Sequence, residues 1–240
     1  NTYRVKNSWP NRFLNGVWTD FQIAVCAEVR ETLCRQPGFA FDRMVAIHNG
    51  VDADLYSPNP EWRAEARREF GYDDSDLVCG IAARLVRDKG HAFLFRAAAQ
   101  VRNRLPQLRL LVLGQGPLDE ELRGLADALG IGDRVHFAGF RKDMARCVQA
   151  MDIGIQPSID CDTSSFSLKE QMACGKAVIA SDYGGLKEIV RDGVEGIVVP
   201  AGTVDPLATA IERLAAEPEM RRTMGTSGRA RVLREFTVEH

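Results

Sequence analysis

The chain has 240 residues, 45% hydrophobic and 27% charged, with a formal net charge of −2. That is ordinary globular composition, enough for one large domain or one and a half. The balanced charge gives no electrostatic case for nucleic acid, and no run of ~18 apolar residues reads as a membrane span.

The first residues, NTYRVKNSWPNR, lack a signal-peptide core. The chain starts without Met, in mid-pattern, and stops at Glu239-His240, so it reads as a piece of a longer protein. Cysteines 26, 34, 79, 147, 161 and 174 show no C-x-x-C spacing and read as reduced thiols. Cys161 reads as a small buried residue, with no His nearby in sequence to activate it.

Apolar periodicity predicts helices over Pro10–Trp18 and Ala27–Arg35, with strands at Phe21–Val25 and Met44–Ile47. These are too few elements for a core of their own. HNGVD and LYSPNP then read as turn and linker, followed by a helix over Trp62–Phe70. From about residue 77 strands and helices alternate: strands at Val78–Ala83, Leu108–Leu113, Val135–Phe137, Ile153–Gln156, Ala177–Ala180 and Gly196–Val199. The helices lie at His91–Arg104, Leu118–Leu129, Met144–Ala150, Phe166–Ala173, Leu186–Arg191, Pro206–Ala215 and Glu219–Glu235. Short strands with helical crossovers predict an α/β fold: an open parallel sheet, Rossmann-like, with helices on both faces. Ligands in such sheets sit at the carboxyl ends of the strands.

The chemistry-bearing residues fall at those ends. Arg84 ends a strand, and Lys89 precedes a helix N-terminus; they read as a surface Arg and Lys flanking a turn, or as two cations that would neutralise a departing diphosphate. Gly114-Gln115-Gly116 follows a strand as a tight turn, or as a turn that lets a base or diphosphate approach. Asp119 stands where a dinucleotide fingerprint needs its third Gly, which rejects NAD and FAD. His136 reads as a packed strand residue. Asp162 and Glu170 lie eight residues apart, one in a polar loop and one a turn into a helix that Ser164 or Ser165 could cap. On one continuous helix they would lie ~12 Å apart on one face. With Asp162 in the loop, both flank a helix N-terminus, whose free N–H groups suit an anion. Two hydroxyl-binding carboxylates beside a diphosphate site describe a sugar nucleotide. Glu170 sits near apolar Met172-Ala173-Cys174, and a ribose diol would give it a partner. Gly184-Gly185 allows close backbone approach to a ligand, and Glu188 either belongs to that element or completes a helix cap. Lys187 and the basic helix from Arg221 to Arg234 read as solvated faces.

The segment DTSSFSLKEQMACGKAVIAS resembles the Glu-x7-Glu signature of retaining glycosyltransferases of family 4, the glycosyl transferases group 1, with Asp in place of the first Glu. ARLVRDKG, LGQGP and DYGGLKE resemble further elements of that family in the same order, with Ala83 in a usual Gly position. The resemblance covers about residues 20–235 and implies the C-terminal half of a GT-B fold. Residues 1–54 would be a remnant of the N-terminal acceptor domain and hinge, and 55–240 the nucleotide-sugar (donor) domain. The last helix of the family crosses back onto the acceptor domain; here only part of it is expected.

The resemblance implies transfer of a glycosyl group from a nucleoside diphosphate sugar to an acceptor hydroxyl, with retention and without a metal or cofactor. No His, Asp and Cys cluster with metal-ligand spacing is present in the sequence. Arg84, Lys89 and Asp162 would be catalytic, with Asp162 orienting the sugar. Gly114, Gly116, Phe140, Arg141, Ser165, Phe166 and Glu170 would hold the nucleotide: Glu170 the ribose, Ser165 and Phe166 the phosphates through N–H groups, and backbone at Phe140 and Arg141 the base. UDP or GDP is the expected carrier. The acceptor would be a glycan or lipid-linked hydroxyl in cell-envelope polysaccharide synthesis. The expected location is cytoplasmic, with room for peripheral contact at the inner face of a membrane through the absent domain. The rivals are a sugar-nucleotide epimerase or phosphorylase of the same architecture and a non-catalytic sugar-nucleotide binding module. A phosphorylase would need a pyridoxal-type lysine site, and none is identifiable.

Overall fold

The structure, a computed structural model, describes residues 8–238. The extreme termini, on which the reading of a partial chain rests, lie outside the described residues. Two sheets organise the rest. A small one pairs β1 (Gln22–Ala24) with β2 (Met44–Ala46) in parallel, flanked by α2 (Ala27–Cys34). Its core is the expected minimum: Ala24, Cys26, Val29 and Met44. Ahead of it α1 (Trp9–Phe13) runs into a π-helical turn over Leu14–Trp18, where one uninterrupted helix was expected.

The large sheet has six parallel strands: β3 (Leu77–Ala82), β4 (Leu108–Leu113), β5 (Val135–Gly139), β6 (Ile153–Gln156), β7 (Ala177–Ser181) and β8 (Gly196–Val199). Their spatial order is β5-β4-β3-β6-β7-β8. The central strand β3 is apolar throughout because both faces are covered. Cys79, Ile81, Leu110, Val112 and Ile179 face α4 (His91–Val101), α5 (Asp119–Ala128) and α9 (Asp205–Ala216). Val78, Leu111, Val178 and Ala180 face α3 (Pro60–Phe70), α6 (Met144–Gln149), α7 (Phe166–Ala173), α8 (Leu186–Ile189) and α10 (Pro218–Glu235). Each fully buried aliphatic side chain stabilises the sheet by about 1.5–3 kcal/mol relative to exposure.

Local sequence sets the helix ends. The Asn59 side chain accepts from the Trp62 N–H at 2.9 Å, Pro60 occupies the first helical position, and Gly71 at φ 73° closes α3. At the far end α10 stops at Glu235. The Val51 N–H then donates to the Phe236 carbonyl at 2.7 Å, and Val51 bridges Thr237. The end of the chain therefore packs on the 48–52 turn, which joins the two sheets.

Candidate functional site

Winding reverses between β3 and β6. Strands β4 and β5 were added on one side of β3, β6 to β8 on the other. Loops leaving neighbours at such a point diverge and open a crevice. From β3 comes Ala83-Arg84 and the turn to Lys89; from β6 comes Pro157 to Ser165. The Ile159 N–H donates to the Asp88 carbonyl at 2.8 Å and ties these loops together.

That tie brings two of the candidate residues into contact. Lys89 Nζ lies 3.0 Å from Asp162 Oδ2 and 3.2 Å from the Cys161 carbonyl. The same carboxylate oxygen accepts from Ser158 Oγ at 2.6 Å and Gln156 Nε2 at 2.9 Å. Asp162 is only 4% exposed, and a carboxylate so buried is tolerated because it is paired and hydrogen-bonded. Gln156 and Ser158 escaped the sequence reading. Their signal was position alone: Gln156 ends the strand beside the switch point, and Ser158 follows two residues on.

Ser165 caps α7 as expected, its Oγ accepting from the Leu168 N–H at 3.3 Å. Phe166, at the first position of that helix, is exposed. Glu170 is half-buried, and the sequence did not foresee its partner: the Tyr56 hydroxyl from the linker. Burial raises the Glu170 carboxyl above its ordinary value, and burial beside that carboxyl raises the Tyr56 hydroxyl.

Beside this cluster lies an open cavity of about 540 Å³, lined by Ala83, Arg84, Gly114, Gly116, Phe140 and Arg141 among others. The exposed Arg84 is among the lining residues and lies five residues before Lys89 in the segment that leaves β3. A side chain at Gly114 or Gly116 would strike the Ala83 or Leu85 carbonyl, at 2.0 and 2.5 Å. Both glycines thus let the β4 loop lie against the β3 loop. Phe140 is 64% exposed at the rim. The Arg141 guanidinium is spent on Asp143, at 2.8 and 2.9 Å, and on Glu69 at 2.6 Å. These partners hold its pKa above the ordinary value.

Two expectations, those for the basic helix α10 and for Cys161, need correction. A side chain on Gly185 would meet the Thr163 carbonyl at 1.8 Å, so the glycine lets the loop after β6 pack closely against it. Glu188 caps a helix, but a distant one: its carboxylate accepts from the Ala27 and Glu28 N–H groups of α2, at 2.8 and 2.9 Å. The basic helix α10 is not simply a solvated face. Arg229 donates to the Tyr56 and Ala173 carbonyls, and Arg231 to the Glu188 carbonyl. Cys161 is partly exposed rather than buried, and sits at φ 51°, a left-handed conformation unusual for a residue with a Cβ. His136 packs on Phe70 and Tyr72, as a strand residue should. Among the described residues no group of three metal-ligating side chains converges, and no helix is long and apolar enough to cross a membrane.

Comparison with known proteins bears on this geometry. The family model described as glycosyl transferases group 1 matches residues 63–231, well over half of the chain. The chain is 35% identical over 188 residues to the GDP-mannose-dependent alpha-(1-6)-phosphatidylinositol monomannoside mannosyltransferase of Mycolicibacterium smegmatis, covering 75% of this chain and 49% of that protein. It is 38% identical over 182 residues to a D-inositol 3-phosphate glycosyltransferase of Mycobacterium sp. strain KMS, covering 72% of this chain and 39% of that one. The crystal structure of Anabaena HepE in complex with UDP-glucose superposes with a TM-score of 0.87 at 28% identity, over 94% of this chain and 62% of HepE. The chain spans about half the length of the curated relatives it matches. The fold is that of GT-B glycosyltransferases, and the chain belongs to the glycosyl transferases group 1 family.

Proposed function

We propose that this chain forms the donor-binding half of a retaining, metal-independent glycosyltransferase that moves a sugar from a nucleoside diphosphate sugar to an acceptor hydroxyl. Residues 55–240 would be the donor domain, and 1–54 the hinge and a remnant of the acceptor domain. The observation that carries the reading is the Lys89–Asp162 pair at the β3/β6 switch point, beside the capped N-terminus of α7 and an open cavity. A cation, a carboxylate and free helix N–H groups match the phosphate and hydroxyl groups of a sugar nucleotide.

In this reading the diphosphate lies between Arg84, Lys89 and the first N–H groups of α7 at Ser165 and Phe166. Asp162 orients the sugar hydroxyls, and Gln156 and Ser158 fix its carboxylate. Glu170 accepts from the ribose and shares its charge with the Tyr56 hydroxyl. The base enters the cavity over Gly114 and Gly116, against main-chain groups of Phe140 and Arg141. The bond from the anomeric carbon to the diphosphate oxygen breaks on the face where the acceptor oxygen attacks. The acceptor proton passes to a donor phosphate oxygen, and the negative charge left on the diphosphate is met by Arg84 and Lys89. HepE with UDP-glucose and the GDP-mannose-dependent relative make uridine and guanosine carriers the first to try. The acceptor is a glycan or lipid-linked hydroxyl.

Calorimetric titration with UDP, GDP and ADP, each beside its nucleoside, tests this reading. Saturable binding of one diphosphate well above its nucleoside is expected. Equal binding of diphosphate and nucleoside would remove the phosphate site from the account.

A further inference from the structure

The ammonium of Lys169, on α7 next to Glu170, has no assigned role, yet the residue is 0% exposed. Its Nζ donates to the Asn49 carbonyl at 2.8 Å and to Ser164 Oγ at 2.7 Å. Asn49 belongs to the turn joining the two sheets. Ser164 belongs to the loop that carries Asp162 and caps α7. The ammonium also lies 5.1 Å from the Phe236 ring centroid, where the chain returns to pack on that turn. One buried cation thus touches the turn, the donor loop and the returning chain. Burial of an ammonium is costly unless its donors are satisfied, so an apolar side chain would serve mere packing better.

We propose that Lys169 is a positioning residue for the nucleotide-sugar donor: by tying Ser164 to the Asn49 carbonyl it fixes the loop that presents Asp162, Ser165 and Phe166, and so couples the turn between the sheets to donor binding. This rests on the donor-site reading above. The loop needs such a tether. It carries the left-handed Cys161 and lies between two neighbours, Lys89 on one side and Gly185 on the other, where the Gly185 N–H donates to the Asp162 carbonyl at 3.1 Å.

The tether has a pH signature. Burial pushes the Lys169 ammonium down to about 8, against the opposing pull of Asp162. Among the other groups around it, burial lowers His48 below its ordinary value and raises Cys26 to about 11. Glu188 pairs with His48 at 3.3 Å, and Arg231 reaches in from α10. Lys176, at the far end of α7, is also pushed down to about 8 by burial and must be separated from Lys169.

The test is UDP and GDP titration of the chain from about pH 7 to about pH 9.5, spanning the Lys169 value but not the ordinary lysine one. Wild type is expected to lose roughly tenfold in affinity as Lys169 deprotonates, the size of one charge-assisted hydrogen bond. Lys169→Arg stays charged and should hold a flat profile. Lys169→Met should bind weakly across the range. Ser164→Ala, which keeps the lysine, should bind weakly at neutral pH and lose the pH dependence; it carries the test if Lys169→Met does not fold. A Lys169→Arg profile that still falls near pH 8 would assign the titration to another group, Lys176 first, and overturn the proposal. So would folded Ser164→Ala binding as wild type does. Wild type that binds neither diphosphate would overturn the donor-site reading itself.

Discussion

The two ends of the large sheet each set a carboxylate among cations, partly buried at one end and buried at the other, and they spend them differently. At the amino end Asp152 meets Arg63 at 2.6 Å and Arg67 at 3.3 Å, and accepts from the Val78 N–H at 2.8 Å. Arg67 also donates to the Asp76 carbonyl at 2.9 Å, and further donors go to main-chain carbonyls where α6 ends. Arg63 reaches Gln149 and Met151, Arg67 reaches Ala150, and Lys176 reaches Gln149. Cations at a helix C-terminus complement its dipole and satisfy its orphan carbonyls. At the carboxyl end Lys89 and Asp162 stand instead beside a helix N-terminus and an open cavity. A buried ion pair is therefore not a site by itself; its surroundings decide whether it holds the fold or meets a ligand.

The largest effect should come from the amino end. Asp152→Ala leaves Arg67 buried without its carboxylate, and unfolding by denaturant should show a loss of roughly 3–5 kcal/mol. Diphosphate affinity of the folded fraction should not move; a change there would blur the division between the two ends. Next, Lys89→Ala should weaken diphosphate binding by about 1.5–3 kcal/mol, the worth of a hydrogen bond to a charged group, and nucleoside binding far less. Equal losses for the two ligands would argue against a phosphate role.

Glu170 should separate binding from stability. Glu170→Ala is expected to cost nucleotide affinity roughly 1–3 kcal/mol, from polar partners left unpaired. Burial raises its carboxyl in the folded state, so the ionised form destabilises the fold and stability falls as pH rises through that raised value. Glu170→Gln should accordingly stabilise the chain at neutral pH, with the gain vanishing below about pH 4, where the unfolded carboxyl is also protonated. Thermal melts across that range read the effect; a gain that persists in acid would point to packing instead of charge. The smallest effect belongs to Glu188→Ala, which uncaps α2 and should cost about 1 kcal/mol. Exchange protection lost in α2 but kept in α7 would locate the loss in the smaller unit.

Much of the sheet was legible because its signal is local. Leu108–Leu113, Ile153–Gln156 and Gly196–Val199 are short apolar runs flanked by turn residues, and their strand boundaries match the structure. Helix α7 was readable from Ser165 and the residues after it. The contacts that complete the site were hidden because they join distant parts of the chain. Tyr56 meets Glu170, Lys89 meets Asp162, and Glu188 caps a helix 161 residues earlier. No periodicity encodes such pairings. The helix α10 misled for a related reason. Its arginines look like a solvated stripe, yet Arg229 and Arg231 reach inward and satisfy carbonyls with their head groups. Lys169 looked unremarkable in the sequence because only the fold puts Asn49 and Ser164 on either side of it.

A crystal structure of the chain with a bound nucleoside diphosphate would test the central claim most directly. The account predicts the terminal phosphate within about 3 Å of Lys89 Nζ and of the first N–H groups of α7, with the base in the cavity over Gly114 and Gly116. A diphosphate bound at the amino end among Arg63, Lys176 and Arg221, with the Lys89–Asp162 pair untouched, would contradict it.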